Sequence, residues 1–93
     1  MNNEFLKLMD KAITIYGARA QKIKAVEEFS ELITEITKEI NKQGDRANLI
    51  DELADAEIML MQLNMIYMSR PAVQERIKLK MKRLCKRLDD ELK

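Results

Sequence analysis

"AVEEFSELITEITKEI" (Ala25–Ile40) and, a short polar break later, "NLIDELADAEIML" (Asn48–Leu60) set carboxylates beside residues of core character. At about 100° per residue, Val26, Phe29, Leu32, Ile36 and Ile40 share one side of a helix built on the first stretch. Glu28 falls at the edge of that side, and Glu31 lies about 60° away on the same flank. Glu27 is further round. On the second stretch, Leu49, Leu53, Ala56, Leu60 and Leu63 share a side, with Glu52 and Asp55 together on one flank. Each helix thus carries a pair of acids three residues apart, which makes them surface neighbours. If the helices run antiparallel, four carboxylates converge and repel. A hard divalent cation resolves that conflict. Mg²⁺ takes oxygen ligands, keeps some water and shares its coordination with phosphate. The plainer reading is that acids suit solvated helix faces and that ExxE alone is a common pattern.

Working outward, Gly17, Gly44 and Pro71 are the main punctuation. They divide the chain into four segments of helical periodicity, a single domain over residues 1–93. The first runs from about Asn3 to Tyr16, with Asn2 or Asn3 as cap and Phe5, Leu6, Met9, Ile13 and Tyr16 on one stripe. The second runs from about Ala18 to Lys42, with Val26, Phe29, Leu32, Ile33, Ile36 and Ile40 as its stripe and Gly44 as its stop. Asn48 is the expected cap of the third, which reaches about Met68. Ser69-Arg70-Pro71 restarts the chain into a fourth helix ending near Leu92, with Val73, Ile77, Leu84 and Leu88 directed inward. The expected fold is all-α, a four-helix bundle with antiparallel neighbours. From Ile58 the third segment reads "IMLMQLNMIYM", apolar nearly all round. Such a helix must be covered on every side, so this half is expected at a subunit interface, the bundle being completed by association. A looser, Met-rich core is the alternative.

Composition narrows the chemistry. The chain has 93 residues, no histidine and one cysteine, Cys85. Ser-His-Asp and Cys-His catalysis and the common zinc sites are excluded. An intrachain disulfide is excluded too, which suits a reducing, cytoplasmic setting. The N-terminus lacks the layout of a signal peptide, and no apolar run is long enough to span a bilayer. Net charge is +1, but the signs are segregated. Glu27 to Glu57 holds ten acids and three bases, while Arg70 to Leu88 holds eight bases and one acid. Such separation can hold a fold together or build a site where cations meet a polyanion.

Glu27-Glu28-Phe29-Ser30-Glu31, a twenty-residue gap, and Glu52-Leu53-Ala54-Asp55 resemble the EExxE…ExxD signature of the all-α NTP pyrophosphohydrolases, the MazG-like and dimeric dUTPase-like superfamily. The likeness covers about Gln21 to Tyr67, and short phage and bacterial MazG-like proteins share the pattern around both blocks. The resemblance implies Mg²⁺, with Mn²⁺ as the alternative ion, held by Glu28, Glu31, Glu52 and Asp55. It implies hydrolysis of an NTP or dNTP between the α and β phosphates to the monophosphate and pyrophosphate. Glu27 or Glu28 then stands as general base, and the chain acts as a homodimer or homotetramer. For a phage-encoded chain the setting is the bacterial host cytoplasm.

Such sequences often carry Lys-Phe-x-Arg on a later helix. Here Lys80-Met81-Lys82-Arg83 stands in its place, with Met81 for the aromatic and Lys78 where Asn is frequent. Lys80 and Arg83 are therefore the phosphate-binding candidates, together with Lys24, which can also pair with Glu28. Gln21 is a candidate for contact with the base. Tyr16 and Tyr67 are read as packing residues and Cys85 as an unreactive one. The competing reading is a non-catalytic helical module whose basic fourth helix binds nucleotide or an acidic partner. Nucleic acid is not the expected partner, because the bases have no interleaved aromatics and the chain is not basic overall.

Overall fold

Helical periodicity throughout the chain yields helices throughout. The computed structural model describes residues 2–93 and holds α1 (Asn3–Tyr16), α2 (Ala18–Ile40), α3 (Arg46–Ile66) and α4 (Arg70–Glu91), with no strand among the described residues. The Asn2 side chain accepts the Glu4 N–H at 2.7 Å and caps α1. Gly17, at φ 89°, turns the chain directly into α2. Side chains rarely tolerate that backbone conformation, so glycine fits there.

The break between α2 and α3 departs from the sequence reading in two ways. The left-handed residue after α2 is Lys42, at φ 60°, and not Gly44. Gly44 sits where space is tight: a Cβ there would lie 3.1 Å from the Glu39 backbone nitrogen, so a larger residue would need the backbone to shift slightly. The α3 cap is Asp45, whose carboxylate accepts the Ala47 N–H at 2.7 Å, and not Asn48, which lies inside the first turn. An acid on extended backbone just before the helix supplies both the acceptor and a favourable charge for the helix dipole.

Helices α2 and α3 pack as an antiparallel hairpin. Glu39 lies beside Arg46 and Leu49 at the closed end. Glu28 and Glu31 meet Glu52 midway. Gln21 and Lys24 reach Met59 and Gln62 at the far end. Ala25 and Ala56 are buried, and their small side chains suit a close helix–helix approach. Helix α1 lies against both and contributes the buried Met9. The Lys22 ammonium sits 4.6 Å from the centre of the Tyr67 ring and ties the end of α3 to α2.

This core is smaller than the apolar stripes predict. Val26, Ile33 and Ile40 are 65%, 64% and 69% exposed, although the α2 pattern places them inside. On α3, Met59 and Gln62 are buried but Ile58 and Leu60 are exposed, as are Tyr67 and Met68 just beyond it. Helix α4 has no buried residue, and it packs against the other helices far less than they pack together. Val73, Ile77, Leu84 and Leu88, expected inside, are 37–49% exposed. The single chain therefore packs three of its four helices. Its radius of gyration is 16.5 Å, against about 12 Å for a compact domain of this length. The buried sides of α2 and α3 are turned from the predicted stripes: Gln21, Ala25 and Glu28, and Ala56, Met59 and Gln62, are buried, while Val26, Ile33, Ile36 and Ile40, and Leu53 and Leu60, are exposed. Periodicity does not say that one chain can cover every apolar side.

Asp45→Ala is expected to cost about 1 kcal/mol and to lower Tm by about 4–8 °C. Asn48→Ala should leave the melting curve nearly unchanged. Thermal circular dichroism of the two variants distinguishes the caps.

Candidate metal centre

The antiparallel hairpin turns two separate sequence patterns into one constellation. Glu28 and Glu31 are one turn apart on α2, and Glu52 faces them from α3. One carboxylate oxygen from each of the three lies within 4.8 Å of the others. Glu28 is buried and Glu52 half-buried, while Glu31 is exposed at the mouth. The Glu28 Oε1 accepts from the Lys24 Nζ at 3.1 Å. The second oxygens, Glu28 Oε2 and Glu52 Oε2, are buried with no hydrogen-bond partner. Buried carboxylate oxygens normally have partners, since leaving one unpaired forfeits its hydration. These two need either protons or a cation.

The charge states follow. Burial, and then the neighbouring Glu31, hold the Glu52 carboxyl up at about 7, with Glu28 and Asp55 adding to the rise. Asp55 stands outside the group of three, but burial and its neighbour Glu28 raise its carboxyl too. The Lys24 ammonium, bonded to Glu28, is raised above the usual lysine range. One cation side chain thus faces four acids, which leaves a surplus of negative charge in a partly dry site. The donor set is all carboxylate oxygen, the choice of Mg²⁺, Mn²⁺ and Ca²⁺ and not of softer metals. The spacing is within reach of a single ion with metal–oxygen bonds of about 2.0–2.6 Å. The residues fit a hard divalent cation.

The structure does not bring all the sequence candidates here. Glu27 is exposed and lines an adjoining cavity of about 520 Å³. Gln21 is buried and borders the same cavity, as do Tyr16, Lys24 and Met59. Lys80 and Arg83 stand on α4, and among the described residues no ion pair joins α4 to α2 or α3. Of the three basic candidates, Lys24 is the one bonded to the carboxylate group, through Glu28.

One residue escaped the sequence reading. Gln62 is 5% exposed, borders the cavity that Lys24 and Glu27 also line, and has a buried Oε1 with no partner. Its signal was present. Asp55, Met59 and Gln62 follow one another at four and three residues, which sets all three on one side of α3. A glutamine on the line of the site acids, where the rest of the segment is apolar, marks a polar position in a packed environment. Compared with known families, curated proteins and solved structures, the chain has no significant match. Among the described residues no helix is long and apolar enough to cross a membrane.

The raised Glu52 carboxyl fixes a pH dependence for the metal-free protein. Its value climbs from 4.5 to about 7 on folding, so the folded state binds the proton more tightly than the unfolded one. The stabilisation is complete below about pH 4.5 and is lost as pH rises through about 7. Tm measured in chelator should fall over that interval. Glu52→Gln, which cannot ionise, should flatten the fall and melt higher than the parent chain at pH 8. Added Mg²⁺ or Mn²⁺ should raise the Tm of the parent chain at pH 8 and leave that of Glu52→Gln nearly unchanged.

Proposed function

We infer that this chain is a Mg²⁺-dependent nucleoside triphosphate pyrophosphohydrolase of the MazG-like type. It would convert an NTP or dNTP and water to the monophosphate and pyrophosphate. The observation that carries the reading is the convergence of Glu28, Glu31 and Glu52 with two buried, partnerless oxygens, in the order and spacing of the EExxE…ExxD pattern. An open cavity of about 520 Å³, bordered by Lys24, the partner of Glu28, lies on the same hairpin, a volume suited to a small-molecule ligand.

Each residue has a part. Glu28, Glu31 and Glu52 hold the ion, with Asp55 beside Glu28 completing the set. Mg²⁺ supplies charge neutralisation and Lewis acidity at the phosphates. Lys24 offers the fixed positive charge nearest the acids. Water adds to phosphorus, the bond between the α and β phosphates breaks, and pyrophosphate leaves. The water's proton passes to a carboxylate. Glu28 is already engaged by Lys24, so Glu27, free at the cavity edge, is the better placed base. The nucleobase would enter between Tyr16, Ile23 and Met59, where the carboxamides of Gln21 and Gln62 offer hydrogen bonds. The chain would act as a homodimer or homotetramer in the cytoplasm, the uncovered apolar faces of α2, α3 and α4 being the reason for association.

One observation favours a second reading. Helix α4 is basic and exposed along its whole length. A non-catalytic module would use it to bind nucleotide or an acidic partner, with the acids serving only solubility.

Pyrophosphate release from a panel of NTPs and dNTPs separates the two. The expected result is Mg²⁺-dependent release that falls about 100-fold or more in Glu52→Gln. Helical content should not change. No release from any nucleotide by folded protein would leave the second reading standing.

A further inference from the structure

Lys24 stands one turn before Glu28 on α2, and its Nζ lies 3.1 Å from Glu28 Oε1. Ion pairs of this spacing are common on helix surfaces and contribute little there, because both partners are hydrated and mobile. Here the partners are unequal. The Lys24 side chain is 53% exposed and that of Glu28 10%. A donor on one oxygen of a buried carboxylate restricts how that carboxylate can turn, and water is not at hand to replace it. The other oxygen, Glu28 Oε2, is buried with no partner, as is Glu52 Oε2 on the facing helix. The Glu28 carboxylate is thus divided between an oxygen that is held and an oxygen that is bare.

Among the described residues no other cationic side chain forms an ion pair with an acid of the group, since the remaining pairs are Lys38 with Glu35 and Lys78 with Glu75. A lysine in this place acts on a metal ion in two opposed ways. Its charge repels a second cation. Its bond to a ligand lowers the cost of ordering that ligand, and carboxylates that hold metals are normally held in turn by such partners. The Lys24 ammonium is more than half exposed, so water screens its repulsion. The Glu28 carboxylate is buried, so its orientation depends on what the protein supplies. The orienting effect therefore outweighs the repulsion.

We propose that Lys24 is the positioning residue of the metal centre: it holds Oε1 of Glu28 and so presents Oε2 as the single oxygen that Glu28 gives to the ion. Lys24 acts through Glu28 and does not touch the ion. The role adds to the phosphate contact expected of Lys24 and does not need it, because an ammonium has three donors and one of them serves Glu28. The inference rests on the reading of Glu28, Glu31 and Glu52 as metal ligands, and it is independent of which nucleotide, if any, is hydrolysed.

The test is the Mn²⁺ affinity of the full chain at pH 8 without nucleotide, read from the electron paramagnetic resonance of the free ion. Lys24→Met keeps the length of the side chain and removes its charge and its donors. It should bind Mn²⁺ about 10-fold more weakly than the parent chain, the loss usual when the outer partner of a ligand is removed. Lys24→Arg keeps donors at that place and should recover most of the affinity. Circular dichroism should show the same helical content in all three, since Lys24 is more than half exposed. A folded Lys24→Met chain that binds Mn²⁺ as tightly as the parent, or more tightly, overturns the proposal, and Lys24 is then only a counter-ion whose charge opposes the metal. A Lys24→Arg chain as weak as Lys24→Met overturns it as well, because a retained donor then does not restore the ligand. The parent chain alone tells the two readings apart. If it binds no Mn²⁺, the metal reading has failed and the positioning role falls with it; if it binds, only the variants decide the role of Lys24.

Discussion

The repulsion among carboxylates between α2 and α3 is the constraint on which the rest of this structure depends. The hairpin is the best packed part of the molecule, and its centre holds Glu28, Glu31 and Glu52 within 4.8 Å of one another. Burial of Glu28 and partial burial of Glu52 remove much of the water that would screen them, while Glu31 stays exposed. The folded chain meets the strain in the ways open to it. Lys24 is bonded to Glu28, and Glu52 holds its proton to about pH 7. Two oxygens remain without partners. An arrangement that costs stability in the bare protein is expected where a ligand offsets the cost. The packing tells the same story, since Ala25 and Ala56 lie beside the acids in sequence and let two charged flanks approach.

Much of this was legible in the sequence because it depends on local periodicity. The positions of Glu28, Glu31, Glu52 and Asp55 relative to the apolar stripes follow from the helical repeat, and a five-residue break from Asn41 to Asp45 forces the two helices to run antiparallel. The boundaries of α1 came through in the same way, from Asn2 and Gly17. What did not come through depends on packing between elements. Gly44 reads as a conformational stop, yet its reason is the closeness of the Glu39 backbone. Asn48 and Asp45 are both good caps, and only the path of the loop selects Asp45. Val26, Ile33 and Ile40 obey the apolar period without being buried, because period reports which side is apolar and not what covers it.

That uncovered surface links the fold to the site. A chain this short has little core to set against the entropy of ordering it, and here a whole helix and one flank of α2 add almost nothing to the core within the chain. The segregation of charge compounds the effect. Acids are concentrated on the hairpin and bases on α4, and among the described residues no ion pair joins the two. Gln21 and Gln62 border one cavity with Lys24 and Glu27 and add polar groups to that end of the hairpin.

The central claim is that the α2–α3 carboxylates bind a hard divalent cation. The most direct measurement is titration of the metal-free protein with Mn²⁺ near pH 6.5, followed by the electron paramagnetic resonance signal of the free ion and by proton release. The account predicts loss of the free-ion signal at stoichiometric protein. It predicts release of protons as the Glu52 carboxyl, which titrates at about 7, gives way to the metal, with both effects abolished in Glu52→Gln. A free-ion signal that persists undiminished beside folded protein would contradict it, and the acids would then be a solvated face.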